Sequence, residues 1–523
     1  MTQPKLDAMG YLRFFWRQLT SMRTALFLLL LLAIAAVPGS LVPQRPSDPN
    51  GVVQYFNDHP DLAPILDSVQ LFDVYTSVWF SSIYLLLFLS LIGCVIPRTV
   101  HHIKALRTPP PKTPARLDRL GVYREETVDE ATAASAIESA RALLRKSGYR
   151  VRVFDGPELS VSAERGYLRE TGNLVFHTAL IGVLVSVAVG GGFAYSGQKV
   201  VVEGQPFVNV LADYSSFTPG RFFDESALVP YRMVLDDFHA VYERENFNAY
   251  GFPTDYTAEV TVHTPDGSSF QDEVKVNSPL HVLGNETYLL GNGYAPHITV
   301  TDGEGNIAFT GSVPFLAQDA NLTSIGVIKV PDAVPEQIGL VGFFYPSVQE
   351  LETGAKTSDF PDLRDPMLSL NVYTGDLGVD DGIPRSVYTL NTDDMTQVAG
   401  RGTDVPAVEL RPGEAVELPG GLGTVTFDDM TDSSADGTSV PRFASFDIHH
   451  DPSQAGVLTF AILVVLGLLT ALFVPRRRVW VKAIETADGG ICLQYAGLAR
   501  GDDPTLEGAV ADLAERHIRQ MKK

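Results

Sequence analysis

The chain has 523 residues, with 40 lysines and arginines against 62 aspartates and glutamates, and a formal net charge of −22. At about 150 residues per domain, this length predicts three or four structural units. The acidic balance argues against a nucleic-acid-binding protein, which needs a basic surface. The hydrophobic share of 45 % excludes an intrinsically disordered chain, and two cysteines exclude a disulfide scaffold or a cysteine-rich metal site.

Four apolar stretches without charged residues are long enough to cross a bilayer as helices, which takes about 20 residues each. We expect membrane helices at residues 25–42, 78–96, 172–195 and 455–474. A cleaved signal peptide is the alternative for the first stretch. The aromatic residues before it, such as Trp16, are instead typical of an interfacial anchor that is retained.

The basic residues predict the orientation of these helices. There are four lysines and arginines before the first stretch, one between the first and second, 14 between the second and third, and nine after the fourth. Because short cytoplasmic connections carry the excess of lysine and arginine, both termini and the second loop are expected in the cytoplasm. The chain is then a multi-pass plasma-membrane protein, with residues 1–24, 97–171 and 475–523 cytoplasmic and residues 43–77 and 196–452 outside.

The long outer insert, residues 196–452, carries 39 acidic residues against 12 basic ones. An acidic patch for a basic protein partner and a merely solvated surface are both open interpretations, and the second is the plainer one. The stretches 256–263 and 270–276 alternate in polarity around Pro265-Asp266-Gly267, and a similar pattern surrounds Asp302-Gly303. These are hairpin signals, and they predict a β-rich, sandwich-like domain.

The cytoplasmic loop predicts a small α+β unit. An alanine-rich helix is expected from a start near Asp129 to about Ser147, followed by strands at residues 150–154 and 159–163. The tail predicts strands at 480–486 and 490–495 and a helix at 506–521, which could pack onto the loop. The expected fold class is therefore four transmembrane α-helices with a large β-rich extracytoplasmic domain and a small cytoplasmic α+β unit.

Common catalytic signatures are absent from the sequence, including the P-loop, H-E-x-x-H and G-x-S-x-G motifs. Neither cysteine belongs to a C-x-x-C pair, which excludes a dithiol oxidoreductase and a c-type haem acceptor. His177 is the histidine inside a membrane stretch, where an ionisable group is costly and suggests function. A neutral histidine hydrogen-bonded to a neighbouring helix is an equally weighted alternative. One histidine cannot form a zinc site, but it can be one axial ligand of a haem shared with a partner chain.

Other histidines are weaker candidates. His449 and His450 precede the fourth membrane stretch, and His59 lies in the first outer loop. Two interpretations are open for these histidines: they ligate haem or a metal, or they belong to a polar turn at the membrane edge. The turn is the favoured interpretation. His101 and His102 are expected to form a lipid-facing flank among basic residues.

Several short motifs span almost the whole sequence. They are Met22-Arg-Thr-Ala25, Gly39-Ser-Leu-Val-Pro-Gln44, Leu71-Phe-Asp-Val-Tyr75, Gly172-Asn-Leu-Val-Phe-His177, Leu289-Leu-Gly-Asn-Gly-Tyr-Ala-Pro296, His450-Asp451-Pro452 and Arg476-Arg-Arg-Val-Trp-Val481. Each alone would be unspecific, but they occur in the order found in the ResB (CcsB-type) family of cytochrome c biogenesis proteins, and the chain resembles that family in its actinobacterial type.

The resemblance implies a subunit that works with a ResC (CcsA-type) membrane protein to export haem and attach it to apocytochrome c. It places the family's proposed haem ligand at His177, with haem b held transiently and shared with the partner. A thiol-reducing thioredoxin-like protein is a further partner that it allows. It implies no catalytic residue in this chain, which would be an accessory subunit of a haem lyase. The alternative is a cofactor-free, membrane-anchored scaffold or sensor with an extracytoplasmic binding domain.

Overall fold

The computed structural model describes residues 7–129, 132–156, 158–379, 389–431, 438–486 and 489–522. The chain divides into two compact units. The first combines Met1–Ala188 with Ser453–Lys523, and the second contains Val189–Pro452. Helices and one sheet build the first unit, whereas strands build most of the second.

The described residues contain nine α-helices. They are α1 Ala8–Leu19, α2 Met22–Leu41, α3 Pro49–Asp58, α4 Ala63–Ser68, α5 Val78–Arg107, α6 Ala133–Lys146, α7 Leu168–Phe193, α8 Gln454–Phe473 and α9 Leu506–Met521.

Within the part of the chain that the structure describes, four helices are long and apolar enough to cross a membrane, namely α2, α5, α7 and α8. Only 6 % of the most apolar stretch of α2, and the same share of α8, is buried inside the chain. Large exposed apolar surfaces of this kind are stable against lipid or against another membrane protein. The four helices therefore match the number predicted from hydropathy.

Two of these helices are longer than their apolar stretches. Helix α2 begins at Met22 because Ser21 caps it, with the Thr24 backbone N–H donating to Ser21 Oγ at 3.2 Å. Helix α5 continues through Pro97 to Arg107, well beyond the apolar stretch that ends at residue 96. Its last three turns carry two arginines, one lysine and two histidines, and so extend past the hydrocarbon-compatible part of the helix.

Helices α7 and α8 approach each other through glycine. A Cβ atom on Gly467 of α8 would lie 2.6 Å from the backbone nitrogen of Phe176, and one on Gly172 of α7 would lie 2.7 Å from Thr470 Cβ. Distances below 3.0 Å are not tolerated between such atoms, so both positions require glycine. Small residues that let backbones approach in this way are the usual contact between membrane helices.

We predict that Gly467→Val forces α7 and α8 apart and lowers the free energy of unfolding by about 1–3 kcal/mol, the usual cost of overpacking. The measurement is thermal unfolding of the purified full chain in detergent. Gly191→Ala on α7 is the matched control, because a Cβ atom there meets nothing within 4 Å. Equal melting temperatures for the two variants would contradict the close glycine contact.

The first unit contains an antiparallel five-stranded sheet with strand order β1-β26-β25-β3-β2. Helices α6 and α9 pack on it through a core that includes Ala140, Leu493 and Val510. The tail strands pair with the loop strands, so the predicted packing of the tail onto the loop is confirmed. The strands are β1 Val122–Val128, β2 Arg150–Phe154, β3 Leu159–Arg165, β25 Arg477–Glu485 and β26 Ile491–Ala499.

The start of helix α6 differs from the expectation. Val128 ends strand β1 rather than beginning a helix, and α6 starts at Ala133. Thr132 is its N-cap, since its hydroxyl accepts a hydrogen bond from the Ser135 backbone N–H at 3.3 Å. The sequence signal near Asp129 therefore belongs to the connection between β1 and α6, and the predicted start of the helix was too early.

The second unit is built from antiparallel strands. Its sheets have the orders β10-β11-β24-β4-β6, β13-β12-β23-β22, β14-β15-β16-β19-β20 with β21 on β19, β17-β18, and β5-β7-β8-β9. The strands are β4 Tyr195–Val202, β5 Pro206–Val208, β6 Ser216–Pro219, β7 Arg232–Tyr242, β8 Pro253–His263, β9 Ser269–Lys275, β10 Leu280–Val282, β11 Asn285–Tyr294, β12 His297–Thr301, β13 Ile307–Ser312, β14 Leu316–Ala317, β15 Ser324–Val330, β16 Ile338–Tyr345, β17 Val348–Glu350, β18 Lys356–Ser358, β19 Met367–Gly375, β20 Met395–Ala399, β21 Val408–Leu410, β22 Ala415–Leu418, β23 Gly423–Phe427 and β24 Arg442–His450.

Both predicted hairpins are confirmed. Strands β8 and β9 pair with His263 opposite Ser269, and the turn between them places Gly267 at φ +87°. Strands β12 and β13 pair across a turn in which Asp302 Oδ1 accepts from the Asn306 backbone N–H at 2.8 Å. Aspartate and glycine stabilise these turns locally, which is why the sequence alone located them.

Among the described residues, this unit has two large hydrophobic cores between packed sheets and a smaller cluster around Phe443, where one sandwich-like domain was expected. The first core lies between the β12–β23 sheet and the β15–β16–β19 sheet, with Val300 and Leu340 buried in it. The second lies between the β7–β8 sheet and the β4–β24 sheet, with Val260 and Phe446 buried in it.

A buried arginine connects these cores. Arg442 at the start of β24 donates from Nη2 to Asp362 Oδ1 at 3.0 Å and to the hydroxyl of Tyr294. Tyr294 belongs to the first core, and β24 continues from Arg442 into the second core at Ala444. The Arg442 side chain is only 8 % exposed, so its charge depends on Asp362.

We predict that Arg442→Gln lowers the free energy of unfolding of the full chain by about 3–5 kcal/mol, because it removes the buried partner of Asp362, which keeps only the more exposed Arg244. Urea unfolding followed by circular dichroism measures this loss. Arg411→Gln is the matched control, since the Arg411–Asp365 pair is 48 % exposed on both sides and should contribute less than about 1 kcal/mol. A loss below that control value for Arg442→Gln would show that the network is not structural.

Candidate functional site

The candidate site lies where the C-terminus of α5, the N-terminus of α7 and the C-terminus of α8 come together. We call this region the polar end. Strand β3 leads into α7 through Gly166, which has φ +88°. A Cβ atom at Gly166 would lie 2.1 Å from the Pro475 carbonyl oxygen, so glycine is required there. The start of α7 is therefore held against the segment that follows α8.

Glu170, in the first turn of α7, is the centre of an ion-pair cluster at the polar end. It pairs with Arg476 and with Arg500. His102 of α5 lies beside it, with Nδ1 at 3.4 Å from Glu170 Oε2 and Nε2 at 3.0 Å from Thr171 Oγ1. Helices α5 and α7 and the tail are thereby joined by charge-assisted contacts.

The environment of His102 differs from the expectation of a lipid-facing flank. Its side chain is buried, at 5 % exposure, whereas His101 is exposed. The reason is that α5 continues past Pro97, which turns His102 towards α7 rather than towards lipid. The absence of proline and glycine from residues 98 to 107 was the available signal for this continuation.

His177 lies seven residues after Glu170 on α7, about 10 Å along the axis at 1.5 Å per residue. Its side chain is half-buried, and its ring meets that of Phe176 edge-on at a centroid distance of 4.9 Å. Nδ1 lies 2.8 Å from the Asn173 carbonyl oxygen. A carbonyl can only accept, so Nδ1 carries the proton and donates it.

This hydrogen bond determines which ring nitrogen is available to a ligand. With the proton on Nδ1, the neutral imidazole presents a lone pair on Nε2. Among the described residues, Nε2 makes no hydrogen bond. A backbone carbonyl on Nδ1 is the arrangement that orients a histidine for binding a metal through Nε2.

His177 lies on the face of α7 that is turned away from α8. Glu170, His177 and Leu184 are seven residues apart and form one stripe on the helix surface. Both ends of this stripe contact α5, since Glu170 meets His102 and the Leu184 carbonyl accepts from the Tyr84 hydroxyl at 2.5 Å. The glycine contacts with α8 lie on the opposite side of α7.

A cleft of about 730 Å³ opens at the polar end between α5, α7 and the segment after β26. Asn173, whose carbonyl holds His177, lines it. His177 is therefore one helical turn beyond the wall of the cleft. The residues that line the cleft are both apolar, such as Leu174, and cationic, such as Arg98.

The remaining histidine candidates are separate from this site. His449 and His450 lie at the end of strand β24 rather than in a turn, and as neighbours in a strand they point to opposite faces. His449 Nε2 contacts Asp447 Oδ2 at 2.7 Å, and this hydrogen bond raises the pKa of His449. His450 Nδ1 contacts the Gly284 carbonyl at 2.9 Å, and its ring stacks on Tyr195.

His59 is the C-cap of α3, and its ring stacks on that of Tyr55 with centroids 4.6 Å apart. Throughout the part of the chain that the structure describes, no group of three or more histidine, cysteine, aspartate or glutamate side chains is arranged to hold a metal ion. The cysteines are also separate, since Cys94 contacts the Thr20 carbonyl and Cys492 contacts Glu125.

Comparison with known proteins identifies the family of this chain. Residues 22–511 match the model of the ResB-like family. The chain belongs to the ResB-like family. Because a ResB-like chain with four membrane-capable helices belongs in a bilayer, it is a membrane protein.

Two similar proteins are both named cytochrome c biogenesis protein CcsB. The protein from Prochlorococcus marinus (strain NATL1A) is 29 % identical over 281 residues, covering 52 % of this chain and 59 % of the relative. The protein from Synechococcus sp. (strain CC9311) is 29 % identical over 288 residues, covering 54 % of this chain and 60 % of the relative. The chain thus spans about three fifths of the length of these relatives.

Proposed function

We propose that this chain is a subunit of the system II type of cytochrome c biogenesis, and that it holds haem during export through Nε2 of His177. The family and the names of the relatives support the process. The observation that supports the residue is the Asn173–His177 hydrogen bond, which leaves Nε2 free to bind iron. Haem is the substrate here and passes to another protein.

The proposed orientation puts the polar end at the cytoplasmic face of the plasma membrane. It rests on the 14 lysines and arginines between α5 and α7 and the nine after α8, compared with one between α2 and α5. Both termini and the α+β unit are then cytoplasmic, with residues 97–171 and 475–523 forming that unit. The first loop, residues 43–77, and the acidic β-rich unit, residues 196–452, are outside.

A CcsA-type membrane protein is the proposed partner, and it supplies the second axial ligand of the iron. One imidazole fills only one of the two axial positions of a haem iron. A shared haem would therefore be released when the two chains separate or when a stronger ligand arrives. The membrane-exposed apolar surface of α2 and α8 offers room for such a partner.

Covalent attachment requires reduced cysteines on an apocytochrome c, whose thiols add across the haem vinyl groups. A thioredoxin-like protein that keeps these thiols reduced fits this requirement. The proposed role of this chain is that of an accessory subunit: it binds haem and positions it. The β-rich unit is the proposed contact for the apocytochrome or for the outer loops of the partner.

We predict that His177→Ala, in the full chain co-purified with its CcsA-type partner, lowers the Soret absorbance per complex severalfold, because one axial nitrogen is lost. Added imidazole should restore the absorbance, since it replaces that nitrogen. His281→Ala is the control, because the His281 side chain is 69 % exposed in the β-rich unit.

A Soret band of unchanged height and position in His177→Ala would contradict the ligand assignment. A wild-type complex that binds no haem under any condition would instead support the cofactor-free scaffold or sensor.

A further inference from the structure

The cleft at the polar end contains more cationic groups than its carboxylate can neutralise. Arg98, Arg169 and Arg500 line it together with His101, and Glu170 is the carboxylate among its lining residues. We call this group the cationic cleft.

Glu170 is already occupied by partners. It pairs with Arg476 and Arg500 and lies beside His102. Its two oxygens are therefore engaged by groups that join the tail and α5 to α7. No carboxylate in the described lining remains for the other two arginines.

Arg98 and Arg169 have contacts that do not neutralise them. Arg98 Nη2 lies 3.5 Å from the Met22 sulfur, and Arg169 Nη1 donates to the Arg500 backbone carbonyl. Among the described residues, neither forms a salt bridge with an acidic side chain. A guanidinium that retains unused donors beside an apolar membrane segment is a ready site for a carboxylate, which it binds through two parallel hydrogen bonds.

The position of the cleft relative to His177 selects the kind of anion. Arg169 precedes His177 by eight residues on α7, which is about 12 Å along the axis. Asn173 lines the cleft and holds His177, so the cleft and Nε2 are separated by one helical turn. A porphyrin bound through its iron at Nε2 has its two propionate groups along one edge, at a distance of this order from the metal.

The lining of the cleft is partly apolar and partly charged, which matches the apolar ring and the two carboxylates of a porphyrin. Pro97, Leu174 and Ala471 provide apolar surface, while the arginines form its charged part. A volume of about 730 Å³ accommodates an edge of a planar macrocycle together with its two carboxylates. An inorganic phosphate or a lipid phosphate would use the arginines but not the adjacent histidine.

We propose that Arg98 and Arg169 bind the two propionate groups of haem in the cationic cleft while His177 binds the iron, an inference that rests on the proposed function. The cleft is then the place where haem is first held at the polar end. The two carboxylates orient the porphyrin so that its iron reaches Nε2. Binding at two points also ensures that only a porphyrin with free carboxylates is loaded efficiently.

The test titrates haemin and haemin dimethyl ester into the full chain with its CcsA-type partner in lipid nanodiscs. The variants are the wild type, R98Q/R169Q and His177→Ala. R107Q/K104Q is the matched control, because it removes two positive charges from the same polar end of α5 at residues that do not line the cationic cleft. The readout is the dissociation constant from the Soret change.

We expect R98Q/R169Q to weaken haemin binding by at least about tenfold, equivalent to about 1.4 kcal/mol. The dimethyl ester, which has no free carboxylate, should bind the wild type and R98Q/R169Q equally weakly, and R107Q/K104Q should bind haemin like the wild type. Circular dichroism melting checks that R98Q/R169Q is folded.

Two outcomes overturn this inference but leave the proposed function intact. One is equal haemin affinity of R98Q/R169Q and wild type while His177→Ala is impaired. The other is a difference seen only when the nanodiscs contain phosphatidylglycerol, which would assign the cleft to a lipid phosphate. Failure of the wild-type complex to bind haemin, or equal binding by His177→Ala, would overturn both proposals.

Discussion

The pairing of strand β25 with strand β3 is the contact on which the site depends. The two strands pair with Arg477 opposite Arg165. Strand β3 leads directly into α7, and strand β25 follows directly from α8. Their pairing therefore holds the start of α7 beside the end of α8. Gly166 permits this because no side chain separates the two backbones there. The ion pair between Glu170 and Arg476 lies immediately next to this junction.

Helix α7 presents two different faces as a consequence. The face that contacts α8 is formed by small residues, and the distance between the helices leaves no space for side chains at Gly172 or Gly467. The opposite face carries Glu170 and His177 at a spacing of seven residues. Because packing with α8 does not involve the imidazole, His177 keeps one ring nitrogen unused, and the lining of the adjacent cleft has more cationic side chains than carboxylates.

Elements that depend on local chemistry could be predicted. Uncharged apolar runs located the membrane helices, and aspartate and glycine located both hairpin turns. Strand β1 was missed because it is an edge strand, where charged residues such as Glu125 and Glu126 are tolerated and interrupt the apolar alternation. His102 was misplaced because its burial depends on α5 continuing beyond the apolar run and meeting α7. The two cores of the β-rich unit were also not separable, since strand alternation shows that a face is buried but not which sheet covers it.

The amino-acid sequence by itself determined how many helices are long and apolar enough to cross a membrane, which part of the chain is β-rich and which histidine lies within one of those helices, because hydropathy, alternation and turn residues act over short distances. It also carried the motifs that place the chain in its family. Only the tertiary structure decided that the Nδ1 proton of His177 is held by Asn173, and that Arg98, Arg169 and Arg500 surround one cleft. Arg500 lies 331 residues after Arg169, and what brings it to the other two arginines is the sheet formed by the loop and the tail, which no local pattern encodes.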